Sequence, residues 1–430
     1  MPDTQLSRFD RLSLKNVRCF RDTEISLDPR VTVIIGANGS GKTTLIEALA
    51  SLTYGKDEGL STFPFRRDTR TGEIALYGPE RERPVAKWTA RAKRSAKQTL
   101  REDQYLFAYG RYRRVFSPEG EPADLRRMPS PAELLDELAH HAGERRTVTL
   151  NRPDNNLLRD LSRYLVALDF GRISDPRLES IWRKLNASLP KLEGSLTEIR
   201  MESRKFGKVP MVVRKEVALE LSELSDGYQA LLVVIFDLML RYAYLFQIKN
   251  PLEGQALVGI DEVDLHLHPR WQRRVAAQLT DLFPNTQFVL TTHSPIVVQG
   301  AIDREGTVVT LREENGAVVA SRLGPGLRKR LHGAEVGSLL LEPHLFGVES
   351  RYSTEYSEIE KRVDQLQHRI RRETATDRDY RELSRQLSKL EELVAQEDER
   401  RADSSTVAQM ARLQAAFVKD LLSALKKARS

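Results

Sequence analysis

Residues 36–43 constrain the fold of this chain most, because they read GANGSGKT and fit the pattern G-x-x-x-x-G-K-S/T without a mismatch. The β-branched run at residues 31–35 predicts a buried strand, and residues 44–52 have helical character. This order predicts a phosphate-binding loop, whose backbone N–H groups surround the phosphates at a helix N-terminus. We expect Lys42 to reach the β- and γ-phosphates and the Thr43 hydroxyl to bind Mg²⁺. The predicted nucleotide ligands are Gly36, Ala37, Asn38, Gly39, Ser40, Gly41, Lys42, Thr43 and Thr44.

Two further buried strands are predicted to end in polar residues. The strand at residues 256–260 runs into Asp261 and Glu262, and the strand at residues 287–291 is followed by His293. We expect Asp261 to hold the hydration shell of Mg²⁺ and Glu262 to orient and deprotonate an attacking water. By itself, His293 fits either a ligand crevice at the carboxyl end of a strand or a capping role without function.

Together these motifs resemble the ABC-type ATPases of the SMC, RecF and OLD group. Residues 224–229 (LSDGYQ) resemble the signature motif of that group, and residues 261–269 (DEVDLHLHP) resemble its Walker B motif and D-loop. Residues 292–295 (THSP) resemble the segment with the switch histidine, and residues 16–20 (NVRCF) the strand before the phosphate loop. Within the group, residues 105–114 are most similar to stand-alone ATPases of bacterial anti-phage systems, such as the Septu ATPases.

The resemblance implies ATP and Mg²⁺ as the bound groups and a homo-oligomer in which two heads enclose two ATP molecules. In such a head-to-tail dimer, Ser225 and Gly227 of one subunit would contact the γ-phosphate bound by the other subunit. The resemblance also implies that His293 contacts this phosphate and that Glu262 is the catalytic base. The chain departs from the usual signature at Asp226, which stands where a glycine is common.

The resemblance implies an α/β fold, an ABC-ATPase head of the P-loop NTPase class with a mixed core sheet. We expect the head to span residues 1–349. It would contain an irregular, basic inserted segment at about residues 55–130 and a helical lobe at about residues 131–250. Residues 350–430 lack glycine and proline and carry apolar residues at helical spacing, which predicts an all-helical extension for oligomerisation or partner docking.

The basic excess of the chain, a formal net charge of +7, is concentrated between residues 62 and 127. At the centre of this segment, Lys87, Arg91, Lys93 and Arg94 surround Trp88. Basic side chains beside an aromatic ring can bind the phosphates and bases of DNA or RNA. The same pattern also fits a solvated face with Trp88 in the core, so the sequence leaves both interpretations open.

Other features limit the location and the metal chemistry of the chain. Its single cysteine, Cys19, rules out an internal disulfide, which favours a cytoplasmic protein. The longest apolar stretch is broken by Asp237 and is too short to span a bilayer, so no membrane association is expected. Asp264, His266 and His268 have the spacing of metal ligands, although the D-loop resemblance accounts for the same residues.

Three functions fit these observations. The first is an ATPase that controls a separate nuclease subunit in anti-phage defence, because residues 350–430 lack a recognisable set of nuclease metal ligands. The second is a RecF-like repair ATPase without a nuclease partner. The third is the ATPase subunit of a transporter, which the leucine-His-Pro D-loop and the charged helical tail disfavour.

Overall fold

The structure is a computed structural model that divides into two compact units, residues 1–347 and residues 348–430. The residues it describes are 8–52, 69–79, 83–91, 94–100, 105–111, 133, 136, 161–204, 207–245, 250–347, 354–372 and 376–400.

Strands and helices alternate along most of the first unit, and helices alone make up the described part of the second. The strands are β1 (Arg11–Val17), β2 (Phe20–Ser26), β3 (Val31–Gly36), β4 (Thr71–Tyr77), β5 (Ala86–Arg91), β6 (Arg94–Leu100), β7 (Leu106–Tyr109), β8 (Leu196–Arg204), β9 (Gly207–Arg214), β10 (Val217–Glu220), β11 (Leu257–Ile260), β12 (Gln287–Thr291), β13 (Thr307–Glu314) and β14 (Ala317–Arg322). The helices are α1 (Lys42–Ser51), α2 (Leu161–Gly171), α3 (Pro176–Leu192), α4 (Asp226–Leu245), α5 (Pro269–Gln272), α6 (Val275–Leu282), α7 (Pro295–Asp303), α8 (Pro325–Leu331), α9 (Val336–Leu341), α10 (Thr354–Arg371) and α11 (Asp377–Arg400).

The core of the first unit is a six-stranded sheet in the order β14-β13-β3-β12-β11-β7. Neighbouring strands from β13 to β7 are parallel, and β14 pairs antiparallel to β13. Asn315 and Gly316, both with positive φ, form the predicted hairpin turn between β13 and β14. The predicted α/β class with a mixed core sheet is thus confirmed. Because β3, β11 and β12 are adjacent and parallel, the loops after them meet at one edge of the sheet.

A second, antiparallel sheet has the order β2-β1-β4-β5-β6. The expectation of an irregular segment at about residues 55–130 is therefore wrong for β4, β5, β6 and β7, which are regular strands. Trp88 of β5 lies opposite Ile74 of β4 and is fully buried, which places its ring in the core. Lys87 forms an ion pair of 2.8 Å with Glu73 on the neighbouring strand. The side chains of Arg91, Lys93 and Arg94 lie outside the described residues.

The predicted helical lobe at about residues 131–250 is only partly helical. Helices α2 and α3 are followed by a three-stranded antiparallel sheet in the order β10-β9-β8, and then by α4. Within the described residues, α4 is the one helix long and apolar enough to cross a membrane by length and composition. Of its most apolar window, 83% is buried inside the fold, as expected for a core helix of a globular domain.

The sequence pattern predicts a single amphipathic helix over residues 269–283, but the structure has two helices, α5 and α6. The break falls at Arg273 and Arg274, where helix α7 approaches closely. A Cβ atom at Gly300 of α7 would lie 2.0 Å from the carbonyl oxygen of Arg273. This backbone contact therefore requires glycine at position 300 and occupies the space around the break.

In the second unit, α10 and α11 pack against each other. The apolar stripe predicted from the sequence is buried at several of its positions. The segment at residues 410–425, which is predicted to form a further helix, lies outside the described residues. The buried members of the stripe are Ile359, Val363, Leu366, Leu383 and Leu387.

Candidate functional site

The loop between β3 and α1 has the backbone conformation of a phosphate cradle. Gly39 and Gly41 have φ values of +80° and +94°, which side chains other than glycine rarely adopt. Gly41 occupies the N-cap of α1, and its carbonyl accepts the first helical hydrogen bond, from the Leu45 amide, at 2.9 Å. The loop therefore turns sharply enough for backbone N–H groups to face an anion at the start of a helix.

Lys42 is buried at the start of α1, with 5% of its surface exposed. Its Nζ donates hydrogen bonds to the carbonyl oxygens of Gly36 (2.8 Å) and Ala37 (3.0 Å). Burial lowers the pKa of Lys42, although the nearby carboxylates oppose this shift. Phosphate oxygens would be a better partner for this desolvated cation than neutral carbonyls.

Ser40 provides an independent test of whether the loop suits a nucleotide. Its Oγ is buried and makes no hydrogen bond to the residues that the structure describes. A buried hydroxyl without a partner is rare in a native protein and indicates that a ligand or a water completes its bonding. The cradle, the buried Lys42 cation and this hydroxyl together fit the di- or triphosphate of a nucleotide.

Asp261 lies where the phosphate loop meets the edge of the sheet. Its Oδ2 accepts a hydrogen bond of 2.8 Å from Thr43 Oγ1, and its Oδ1 accepts one of 2.6 Å from Thr291 Oγ1. The parallel register of β11 and β12, with Ile260 opposite Leu290, accounts for the second contact. A hydroxyl and a carboxylate held together in this way are oxygen ligands of the type that Mg²⁺ prefers. The structure thus brings together the two residues predicted to hold the metal.

Glu262 and His293 belong to the same group of charges. The amide of Glu262, a residue with φ of +47°, donates a hydrogen bond of 2.8 Å to Thr291 Oγ1. His293 lies two residues after the end of β12. Neighbouring protein atoms partly desolvate its ring, and this desolvation, followed by the nearby Lys42 charge, lowers its pKa. The charges of Asp261 and Glu262 act on both Lys42 and His293. The four ionisable residues predicted for the site therefore lie together at the carboxyl edge of the sheet.

The signature segment has a different set of neighbours. Ser225 is exposed before α4, and its carbonyl oxygen accepts a hydrogen bond from the Tyr228 amide at 2.9 Å. A Cβ atom at Gly227 would lie 2.5 Å from the carbonyl oxygen of His266 and 3.2 Å from Leu267 Cδ2. The nearest neighbours of Gly227 are thus residues of the D-loop.

The alternative metal site at Asp264, His266 and His268 is not formed. The carboxylate of Asp264 accepts a hydrogen bond from the Thr292 hydroxyl, and His268 Nδ1 accepts one of 3.3 Å from the Arg270 amide. Among the residues described, no three or more His, Cys, Asp and Glu residues are grouped so that they could hold a metal ion.

Two residues that lie beside the phosphate loop, Arg18 and Cys19, were not predicted from the sequence. Arg18 donates hydrogen bonds from Nη1 to the hydroxyl of Thr44 (3.3 Å) and to the carboxylate of Glu47. A Cβ atom at Gly41 would lie 2.6 Å from Sγ of Cys19, so the turn between β1 and β2 lies against the phosphate loop. The resemblance of residues 16–20 to the strand before the loop was the signal that could have identified both residues.

Segments of this chain are similar in sequence to known proteins. The chain is 37% identical over 107 residues to the Septu protein PtuA of Bacillus mycoides (strain KBAB4), which covers 24% of this chain and 14% of that protein. It is 41% identical over 88 residues to the Retron Vc95 probable ATPase of Vibrio cholerae serotype O1 biovar El Tor, which covers 20% and 17%. The matched segments thus span less than a fifth of either curated relative.

Among solved structures, the SMC head bound to the C-winged helix domain of ScpA covers 74% of this chain and 98% of its own, at 16% identity and a TM-score of 0.48. The family described as "AAA domain, putative AbiEii toxin, Type IV TA system" matches residues 31–299. This match includes the phosphate loop, the signature segment, Asp261, Glu262 and His293. Because it spans more than half of the chain, the protein belongs to this family of AAA domains.

Proposed function

We propose that the chain binds ATP with Mg²⁺ and hydrolyses it at the site around Lys42. The observation that supports this most strongly is the contact of Thr43 with Asp261, beside the buried Lys42 cation. In this proposal the loop residues 36–44 enclose the phosphates, and Lys42 neutralises the β- and γ-phosphate charge. The names of the retron relatives, which are called probable ATPases, agree with this activity.

Thr43 and Asp261 would hold the Mg²⁺ ion, the first with its hydroxyl and the second through the hydration shell. When bound, Mg²⁺ neutralises charge that develops on the phosphate oxygens. Glu262 would orient the attacking water and accept its proton, and His293 would contact the γ-phosphate. The lowered pKa of His293 favours a neutral imidazole, which can donate one hydrogen bond to a phosphate oxygen.

We further propose that two copies associate head to tail around two ATP molecules. Ser225 and Gly227 would then contact the ATP of the other subunit. Within one subunit, the atoms nearest to Gly227 belong to the D-loop residues His266 and Leu267. The backbone N–H groups at the start of α4 suit this task, since a helix N-terminus attracts anions. Each ATP would then be bound by both subunits, so association and nucleotide binding would depend on each other.

The proposed biological role is the control of a separate effector, a nuclease, in bacterial anti-phage defence, with the cytoplasm as the location. The similarity to Septu and retron proteins supports this role. A RecF-like repair role without a nuclease remains the second candidate, because 45 residues of this chain are 49% identical to the DNA replication and repair protein RecF of Chlamydia abortus (strain DSM 27085 / S26/3). A nuclease that copurifies with the chain would separate the two roles.

A Lys42→Ala variant tests the proposed ATP site. We expect it to lose ATP binding, measured by calorimetry or with a fluorescent ATP analogue, because it lacks the cation that neutralises the phosphates. Lys329→Ala is the matched control, since Lys329 is exposed on α8. Equal ATP affinity of the two variants would contradict the proposed site.

A further inference from the structure

The turn after β11 has an unusual backbone at His266. This residue has φ of +63°, in the left-handed region that residues other than glycine adopt at a cost of about 1 kcal/mol or more. The amides of Leu265 and Leu267 donate hydrogen bonds of 3.0 Å to the carbonyl oxygens of Glu262 and Asp264. Two successive tight turns therefore fix the backbone of His266 relative to the catalytic candidate Glu262.

The same turn is in backbone contact with the start of α4. Gly227 lies so close to the His266 carbonyl that a Cβ atom there would be 2.5 Å from the oxygen and 3.0 Å from the carbon. Tyr228, the next residue, packs edge-on against Trp271, with ring centroids 4.3 Å apart. The start of α4 thus contacts both the turn at His266 and helix α5.

The carboxylate of Asp226 lies beside this contact. Nδ1 of His266 lies 3.9 Å from Oδ2 of Asp226, and the two side chains are 32% and 41% exposed. Asp226 is the first residue of α4, so its carboxylate lies at the helix end whose N–H groups attract anions. A carboxylate at this position opposes the binding of a phosphate, because like charges repel. The imidazole of His266 attracts this carboxylate when it carries a proton.

We infer that His266 is a positioning residue, which offsets the charge of Asp226 so that the start of α4 accepts the γ-phosphate of ATP bound to a second copy of the chain. The inference rests on the proposed head-to-tail dimer and concerns only its signature side. It accounts for the presence of an acidic residue in a segment that has to bind an anion.

The experiment compares ATP-dependent dimerisation of His266→Gln and His266→Lys in the Glu262→Gln background, in which bound ATP persists. The two substitutions have a similar length and the same backbone strain at position 266, and they differ mainly in charge. We expect the glutamine variant to weaken the dimer about tenfold, which corresponds to about 1.4 kcal/mol, and the lysine variant to retain it. Analytical ultracentrifugation with ATP and Mg²⁺ measures the dissociation constant.

A second substitution, Asp226→Asn, removes the charge that His266 would offset. We expect it to restore dimerisation in the His266→Gln variant, whereas a merely structural role of His266 would not respond to the loss of the Asp226 charge. His332→Gln, at an exposed histidine after α8, is the control and should leave the dimer unchanged. ATP binding to the monomer, which depends on Lys42, reports that each variant is folded.

The outcomes separate the inference from the proposed function. A Glu262→Gln protein that binds ATP but stays monomeric overturns both the dimer and the role of His266. A dimer that forms equally well with glutamine and lysine at position 266, or that Asp226→Asn fails to restore, overturns only the role of His266. Weakening by glutamine with retention by lysine and restoration by Asp226→Asn supports it.

Discussion

The Thr43 hydroxyl donates a hydrogen bond of 2.8 Å to the carboxylate of Asp261, although the two residues are 218 positions apart in the sequence. This bond joins the start of α1 to the end of β11. The second oxygen of Asp261 accepts a bond from Thr291 on β12, so the carboxylate is fixed from two sides. The oxygens proposed to hold Mg²⁺ are thus positioned by the protein before a metal ion binds, which lowers the cost of ordering them.

Removal of the Thr43 hydroxyl should weaken Mg²⁺ binding. We expect Thr43→Ala to raise the Mg²⁺ concentration needed for half-maximal ATP hydrolysis by about 10–100-fold, because a metal-site oxygen is lost. Thr43→Ser keeps the hydroxyl and is the matched control, with a requirement close to that of the unchanged chain. A Mg²⁺ titration of ATPase activity measures both, and an alanine variant with an unchanged requirement would show that Thr43 does not contribute to the metal site.

Glu262→Gln should separate ATP binding from ATP hydrolysis. The amide is nearly isosteric with the carboxylate but is a poor proton acceptor, so we expect ATP affinity to persist and turnover to fall by about 10²–10⁴-fold. Phosphate release measures turnover, and calorimetry measures affinity. Glu198→Gln, at an exposed glutamate of β8, controls for the loss of one negative charge. Hydrolysis by Glu262→Gln at the rate of the control would exclude Glu262 as the base.

Much of the candidate site could be predicted because its signals are local. The run at residues 31–35 becomes β3, and the motif after it becomes the loop before α1. Asp261 and His293 follow β11 and β12, and parallel strands bring their carboxyl ends to one edge. Buried strands with β-branched residues and a motif at their end are compatible with few other local structures, so the sequence prediction and the structure agree in this region.

Strands β5 and β6 of the second sheet could not be predicted in the same way. In β5 and β6 basic and polar residues are frequent, so neither strand has the apolar pattern of a buried element. β5 pairs with β4 and β6, and β4 joins these strands to β1, which is distant in sequence. The contact of Gly227 with His266 was also hidden, because a sequence motif does not report which distant turn packs against it.

A buried polar network that the sequence did not reveal leads to a stability prediction. Tyr109 of β7 donates a hydrogen bond of 2.6 Å to Asp237 of α4, and Arg241 Nε donates one of 2.8 Å to the same oxygen. Burial, followed by the charge of Asp237, raises the pKa of Tyr109, so its phenol stays protonated and remains a donor. We expect Asp237→Ala to lower the free energy of unfolding by about 3–5 kcal/mol, because Arg241 loses its carboxylate partner.

Urea denaturation compares this variant with two others. Tyr109→Phe removes a single donor and should lower the free energy of unfolding by about 1–3 kcal/mol. Ile173→Ala, at a side chain that is 86% exposed, should change it by less than about 0.5 kcal/mol. Similar values for Asp237→Ala and Ile173→Ala would mean that the ion pair does not stabilise the fold.

The apolar stripe in residues 410–425 leads to the last prediction. Met410, Leu413, Phe417, Leu421 and Leu425 have helical spacing, and such a stripe requires a partner surface. We expect truncation after Glu399 to leave a chain that folds and binds ATP but forms a smaller assembly, or no longer copurifies with the proposed nuclease partner, as judged by light scattering and pull-down. Phe417→Ser should have the same effect, whereas Lys419→Ser changes the opposite face of the predicted helix and should have none. An insoluble truncated protein would indicate that the stripe packs on its own chain, and an unchanged assembly that retains its partner would contradict a role in association.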